Sequence, residues 1–396
     1  MRFLKDIRFS WAGLFLFLFM AVLLALGVAS INSACAVREG SVRYLHLLQL
    51  KRWIPAGLVL YVALSLAPYR KLVDFSVLPY LATIACLVLV LIPGIGVERF
   101  HARRWLFGFQ PSEFAKFTAL LVTTFLLTAT RLEKGTAKLA AVAIAIAAPL
   151  GLIACQPDLG TALVLVPVVG SMLFVSGTAP RFLAWTALSV VAAAALFLGA
   201  ILVPESMPED SLVRARIEKV ADAVIFPHWK KRVITFAFPD RDPLGAGWNR
   251  RQSEIAVGSG GLHGKGYLNG TQNILGFLPR AVSSTDFIFS VYAEETGFVG
   301  SLLLLGLYAG LFLSIAAIGV WSPDAAGRLL ATGVLVLLGF HVFVNIAMTI
   351  GRVPITGLPL PLISYGGTFT ISTMAMLGLV QSVALHTPRK KQSSQT

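Results

Sequence analysis

The stretch "SSTDFIFSVYAEETG", Ser283 to Gly297, places one aspartate, Asp286, ahead of an apolar run and two adjacent glutamates, Glu294 and Glu295, inside it. A carboxylate at the mouth of a membrane helix can serve as a general base. On a helix Asp286 and Glu294 would stand about 12 Å apart along the axis, whereas the two carboxyls of a glycoside hydrolase stand about 5 to 9.5 Å apart. That spacing argues against a hydrolytic carboxylate pair. One base suffices where the leaving group needs no proton, as when a phosphate departs toward cations that stabilise it.

Cations for that purpose are at hand. In "RRWLFGFQPSEFAK" Arg103 and Arg104 precede Trp105, and Pro111 and Ser112 open a helix with Ser112 as the expected N-cap. Glu113 and Lys116 are three apart and share a face; at membrane depth such charges pair or line a cavity, and a cavity-lining pair is favoured over a purely structural one. The segment Gln252 to Asn273 is glycine-rich around Lys265. Ser259 stands where the first P-loop glycine belongs and Gly266 follows Lys265 in place of Ser or Thr, so the nucleotide-loop pattern fails. Two readings stay level: a loop whose amides and Lys265 cradle an anion, and a loop packed tightly on helix tops.

Asp158 in "QPDLGTA" is expected to cap a helix. Gly351 to Gly367, rich in proline and glycine, reads as a re-entrant wall of a central cavity, because non-helical backbone at such depth must be buried in protein or face a cavity. The histidines lack metal-ligand spacing, and Cys35, Cys86 and Cys155 match neither a disulfide framework nor a metal knot.

Positioning such groups requires a membrane bundle. Of 396 residues 56% are hydrophobic and only 13% are charged, which excludes a soluble chain. Spans of about 20 apolar residues fall at 11–31, 53–69, 76–97, 113–130, 138–155, 159–177, 182–203, 287–320, 328–350 and 363–386. The first is too long and too evenly apolar for a cleaved signal peptide. The expected fold is therefore an all-α integral membrane protein. A single polytopic domain over 1–396 would hold a bundle of about ten transmembrane helices, a long extracytoplasmic loop (204–286) between helices 7 and 8, and a basic cytoplasmic tail at 387–396.

Lys and Arg in the short loops favour the terminal side as the cytoplasmic one. Arg38, Arg43, Lys51, Arg52, Arg99, Arg103, Arg104 and Arg352 nevertheless lie on the outer face against that bias. They suit an anionic partner such as phosphate, or the head groups of anionic membrane lipids. In the outer loop Val213, Ile217, Val220 and Val224 follow helical spacing, so an amphipathic interfacial helix is expected there.

The motifs "HARRWLFGFQPSEFAK", "QPDLGTA", "DPLGAGWNRRQSEIAVGSGGLHGKGYLNGTQNILGFLP", "TDFIFSVYAEETGFVG" and "PITGLPLPLISYGG" together resemble the SEDS family (shape, elongation, division and sporulation), and more closely its rod-shape-determining branch, RodA. The resemblance implies a ten-span glycosyltransferase of the bacterial inner membrane that polymerises lipid II into peptidoglycan on the outer face during cell elongation. It implies a class B penicillin-binding transpeptidase as partner and no nucleic acid. Carried over, Asp286 is the catalytic acid-base residue; Arg104, Trp105, Glu113, Lys116, Gln252, Ser253, Lys265, Thr285 and Ser364 are substrate-binding. No cofactor is fixed, although a divalent cation, magnesium or manganese, could assist the departing pyrophosphate. Two departures stand out: Ser284 where the family has histidine, and His101 where it has glycine. A lipid II flippase and a non-catalytic scaffold for a transpeptidase are the competing functions.

The orientation is open to test. In a cysteine-free variant, cysteines introduced beside Arg104 or within 204–286 should react with an impermeant thiol reagent in intact cells, and cysteines beside Arg131 or Lys390 should not. The opposite pattern would invert the topology.

Overall fold

The computed structural model describes residues 9–36, 38, 40–99, 102–129, 135–208, 210–242, 245–278 and 282–386. The expected basic tail and His101 lie outside them.

Every apolar stretch read from the sequence forms a helix: α1 (Trp11–Cys35), α2 (Val42–Leu66), α3 (Val77–Leu91), α4 (Pro111–Thr128), α5 (Gly135–Ala154), α6 (Leu159–Val175) and α7 (Pro180–Glu205). After the outer loop come α11 (Ile288–Trp321), α12 (Ala325–Thr349) and α13 (Gly367–His386). Among the described residues seven of these are long and apolar enough to cross a membrane; α3 and α6 are shorter apolar helices. α13 forms the centre, with 78% of its most apolar stretch buried, and packs on α2, α4, α11 and α12. α7 lies at the edge, with 6% buried. Such an apolar, uncovered helix is stable only in lipid.

Outside the bundle, strands β1 (Val97–Arg99) and β2 (Ala102–Trp105) make a small antiparallel hairpin, the one departure among the described residues from an all-α reading. The long loop between α7 and α11 is itself helical: α8 (Leu212–Val224), α9 (Pro227–Ala237) and α10 (Ala246–Ser259). The amphipathic helix expected near 213–224 is α8, which lays Ala221 against Ile201 of α7 and Val233 of α9 in a small core of its own. α10 instead packs inward on α11 and α12. Ser112 does not cap α4; Gln110 occupies that position, Pro111 is the first helical residue, and the Ser112 hydroxyl is buried without a protein partner.

α11 is not one continuous helix. Gly297 breaks it with φ 69° and ψ −164°. A break at this depth strands backbone groups that lipid cannot satisfy, and the glycine-rich segment after α10 takes them. The amides of Lys265 and Gly266 donate to the carbonyls of Glu294 and Glu295, both at 3.0 Å, while Phe298 and Val299 donate to Gly261 and Leu262 at 2.9 and 3.1 Å. This decides between the two readings of that segment: it is a loop packed on a helix, its amides spent on backbone carbonyls. The packing admits no side chain at Gly264, which has φ +76° and whose added Cβ would fall 2.1 Å from the Glu295 carbonyl oxygen.

Gly264→Ala should therefore cost about 2 kcal/mol or more, whereas Gly258→Ala, whose Cβ meets open space, should be neutral or slightly stabilising. Thermal unfolding of the two variants in detergent separates the cases; equal melting would mean the clasp does not hold α11.

Candidate active site

Asp286 sits in the turn 282–287 that feeds α11, outside the helix itself. The turn closes on itself through Thr285 and Phe287 amides, both 3.1 Å from the Val282 carbonyl. Two elements hold it from outside. Asn345 of α12 donates its amide to the Asp286 carbonyl at 2.9 Å and to the Leu358 carbonyl at 2.8 Å. Ser364 donates to the Thr285 carbonyl at 2.6 Å and accepts from the Leu360 amide at 2.8 Å, and the Tyr365 amide reaches the Ser284 carbonyl at 2.9 Å. The non-helical segment between α12 and α13 thus forms a wall against this turn, and its Gly357 lies beside the acid: a Cβ added there would be 3.4 Å from Asp286 Oδ2.

The side chain keeps partial exposure while dense protein surrounds its carboxyl. Burial pushes the Asp286 carboxyl up to about 6; the Thr285 hydroxyl and the Arg232 and Arg104 guanidiniums pull the other way, and Asp158 adds to the rise. An acid so placed can hold or release a proton near neutrality.

Two guanidiniums, Arg104 and Arg232, act on it by charge. Arg104, on β2, donates Nε to the Gln156 carbonyl at 3.0 Å and Nη2 to the Pro157 carbonyl, and its Nη1 stands 3.8 Å from Asp158 Oδ2. Asp158 caps α6 as expected, accepting from the Thr161 amide at 3.3 Å. Arg232, on α9, donates Nη1 to the Thr356 carbonyl at 2.8 Å, next to Gly357. Burial and the Arg104 charge work against the Arg232 charge, while Asp158 and Asp286 support it.

Arg232 is the functional residue that sequence reasoning missed. In "FPHWKKRV" three consecutive cations point in three directions on a helix, and periodicity alone does not say which turns inward. The structure does: Lys230 pairs with Asp222 at 2.8 Å, Lys231 faces Asp242 at 4.0 Å, and Arg232 turns to the wall.

Several expected substrate contacts have partners within the protein. Glu113 and Lys116 do pair, at 2.8 Å, but with 3% and 0% exposure they do not line a cavity; Ser372 and His341 complete their surroundings. Lys265, expected to hold an anion, gives its ammonium to Glu294 Oε1 at 2.6 Å and to Ser259 at 2.8 Å. Buried Ser253 bonds the Thr349 carbonyl and Ser290, tying α10 to α12 and α11, and Ser364 is committed to the turn as described. Gln252 is buried on α10. Thr285 and Trp105 flank Asp286 and Arg104 in the chain, and the Thr285 hydroxyl also donates to Val282 at 3.2 Å. For a divalent cation held by protein alone the donor set does not fit: among the described residues no three His, Cys, Asp or Glu side chains group as metal ligands, and the charges of Arg232 and Arg104 act on Asp286. No step is routed through a metal.

Residues 13–389 match the family model FTSW_RODA_SPOVE, described as cell cycle protein. The chain is 38% identical over 342 residues to "Peptidoglycan glycosyltransferase MrdB" of Escherichia coli (strain K12), covering 85% of this chain and 84% of that protein. It is 33% identical over 421 residues to "Peptidoglycan glycosyltransferase RodA" of Treponema pallidum (strain Nichols), covering 93% and 96%. A chain from a solved structure described as "Structural coordination of polymerization and crosslinking by a peptidoglycan synthase complex" superposes with a TM-score of 0.73 at 32% identity, over 95% of this chain and 98% of that one.

Because Glu294 is fully buried, Lys265→Ala should destabilise the protein by about 3 kcal/mol. A Lys265→Met, Glu294→Gln double variant should recover much of that loss, read as melting temperature in detergent. If Lys265→Ala melts with wild type, the pair carries no load and Lys265 is free for substrate.

Proposed function

Because the chain belongs to the cell cycle protein family of FtsW, RodA and SpoVE, we propose that it is a peptidoglycan glycosyltransferase that extends glycan strands from lipid II in cell elongation. The observation that carries the reading is a single carboxylate with a pKa raised to about 6, flanked by the charges of Arg104 and Arg232. Its relatives' names supply the reaction class, and its multi-pass helical architecture suits a lipid-linked substrate.

In the proposed reaction Asp286 takes the proton from the 4-hydroxyl of the acceptor sugar as that oxygen attacks the anomeric carbon of the donor. The bond from that carbon to the pyrophosphate oxygen breaks, and its electron pair leaves with the lipid-linked pyrophosphate. Arg104 and Arg232 stabilise the departing charge. Attack from the face opposite an α-linked pyrophosphate gives a β-1,4 linkage. The proton on Asp286 then passes to water. The Thr285 hydroxyl favours the ionised carboxylate, and Gly357 lies beside the acid, where an added Cβ would stand 3.4 Å from Oδ2.

We place this site on the outer face with both termini cytoplasmic, a reading supported by the Lys and Arg of the short terminal-side loops. The similarity to a chain of a peptidoglycan synthase complex supports a crosslinking partner, which we take to be a class B penicillin-binding transpeptidase.

Purified protein given lipid II should yield glycan polymer on a gel, and Asp286→Asn should fold yet make none; polymer from that variant would remove the general base. Since the base must be ionised, the rate should rise about tenfold per pH unit below pH 6 and level off above it. Arg232→Ala removes a charge that favours ionised Asp286, so it should move the rise to higher pH. It should also weaken lipid II use about ten- to a hundredfold. An unmoved profile would detach Arg232 from the acid.

A further inference from the structure

The corrected Glu113–Lys116 pair leaves a question: what a fully buried ammonium does besides neutralise one carboxylate. Its second partner is His341 of α12, itself fully buried, with Nε2 3.2 Å from Lys116 Nζ. An ammonium only donates, so Nε2 must be the accepting nitrogen and the ring proton must sit on Nδ1. Nδ1 faces the Pro359 carbonyl at 3.3 Å. The ring is braced by Phe369 at 5.2 Å between centroids, and Lys116 lies over the same ring at 5.4 Å.

Pro359 stands in the wall under Asp286. Its neighbours are already held: the Leu358 carbonyl by Asn345, one turn along α12 from His341, and the Leu360 amide by Ser364. The Pro359 carbonyl lies between these held groups, and His341 takes it.

Building on the glycosyltransferase reading, we propose that His341 is a positioning residue that transmits the buried Glu113–Lys116 charge pair to the Pro359 carbonyl and so fixes the wall beneath Asp286. The positive charge behind Nε2 polarises the Nδ1–H donor, which makes an otherwise long hydrogen bond hold. Nothing in this role touches substrate, so its loss lowers turnover rather than affinity.

The test compares His341→Phe, which keeps the ring and both its packing faces but removes both nitrogens, with His341→Asn, whose side-chain amide can still donate where Nδ1–H does. Polymerisation of lipid II and hydrogen exchange across 351–366 are measured on the full chain. Expected for His341→Phe is a fall in kcat of about tenfold, KM within about twofold of wild type, and faster exchange confined to 351–366; His341→Asn should recover most of kcat and slow the exchange again. Wild-type kcat and exchange in His341→Phe would overturn the proposal. So would equal losses in both variants with exchange raised throughout the bundle, which marks a packing residue. Should Phe fail to fold, His341→Asn beside His341→Ala decides on the same readouts. If wild type itself makes no polymer, the glycosyltransferase reading fails, while the exchange pattern still judges the link from His341 to the wall.

Discussion

A backbone group that leaves a helix inside an apolar bundle has no water to turn to, and the local architecture around Asp286 follows from that constraint. Two breaks occur, at Gly297 in α11 and over the segment from Gly351 to Gly366. The first is answered by the glycine-rich loop, which pairs with residues 294 to 299 as a strand would. The second is answered by side chains: Asn345, His341 and Ser364 take the groups of residues 358 to 360. The Asp286 turn precedes the first break in the chain and shares partners with the second. The acid is therefore placed by hydrogen bonds from two elements distant in sequence, α12 and the segment after it, which confines it more tightly than a helix terminus would.

The charges divide along the same line. Lys116 and Lys265 each serve one buried carboxylate, Glu113 and Glu294, and those pairs join helices or loops. Around Asp286 the arrangement differs, because Arg104 and Arg232 act on both Asp158 and Asp286 without a one-to-one partner. A planar guanidinium with five donors can hold backbone carbonyls on one edge and still face an anion on another. Lysine pairs lock the frame, and arginines leave the site responsive to a phosphate.

The apolar stretches were legible because a span of about 20 residues is imposed by the bilayer itself; α1 to α7 and α11 to α13 lie where the hydropathy puts them. Asp286 stood out because a lone acid at a helix mouth has few structural uses, and its role was carried over from the family resemblance. What the sequence could not show was which charges face each other across elements. Glu113 and Lys116 looked substrate-facing from one helix, since the closing surface, His341 on α12 with Ser372 and Phe369 on α13, is remote in sequence. Lys265 looked free because its partner Glu294 belongs to a helix whose break periodicity does not register. Arg232 was hidden among three consecutive cations.

Those long-range ties also bear on the competing functions. A flippase that works by alternating access must let one half of its bundle rock against the other, opening the substrate site in turn to each side. Here the segment that would have to move is tied to α12 through Asn345 and His341, to the Asp286 turn through Ser364, and to α11 through Tyr308, whose hydroxyl donates to the Pro361 carbonyl at 2.5 Å. α1 closes on it as well, since a Cβ at Gly27 would fall 2.3 Å from the Leu362 carbonyl oxygen. Swinging that segment means breaking several buried hydrogen bonds at once, each leaving an unsatisfied group in an apolar interior. A scaffold, for its part, has no need of a carboxylate under the charge of two guanidiniums. A pinned wall under a proton-accepting acid is the form a site takes when it holds two lipid-linked sugars still while one bond is exchanged for another.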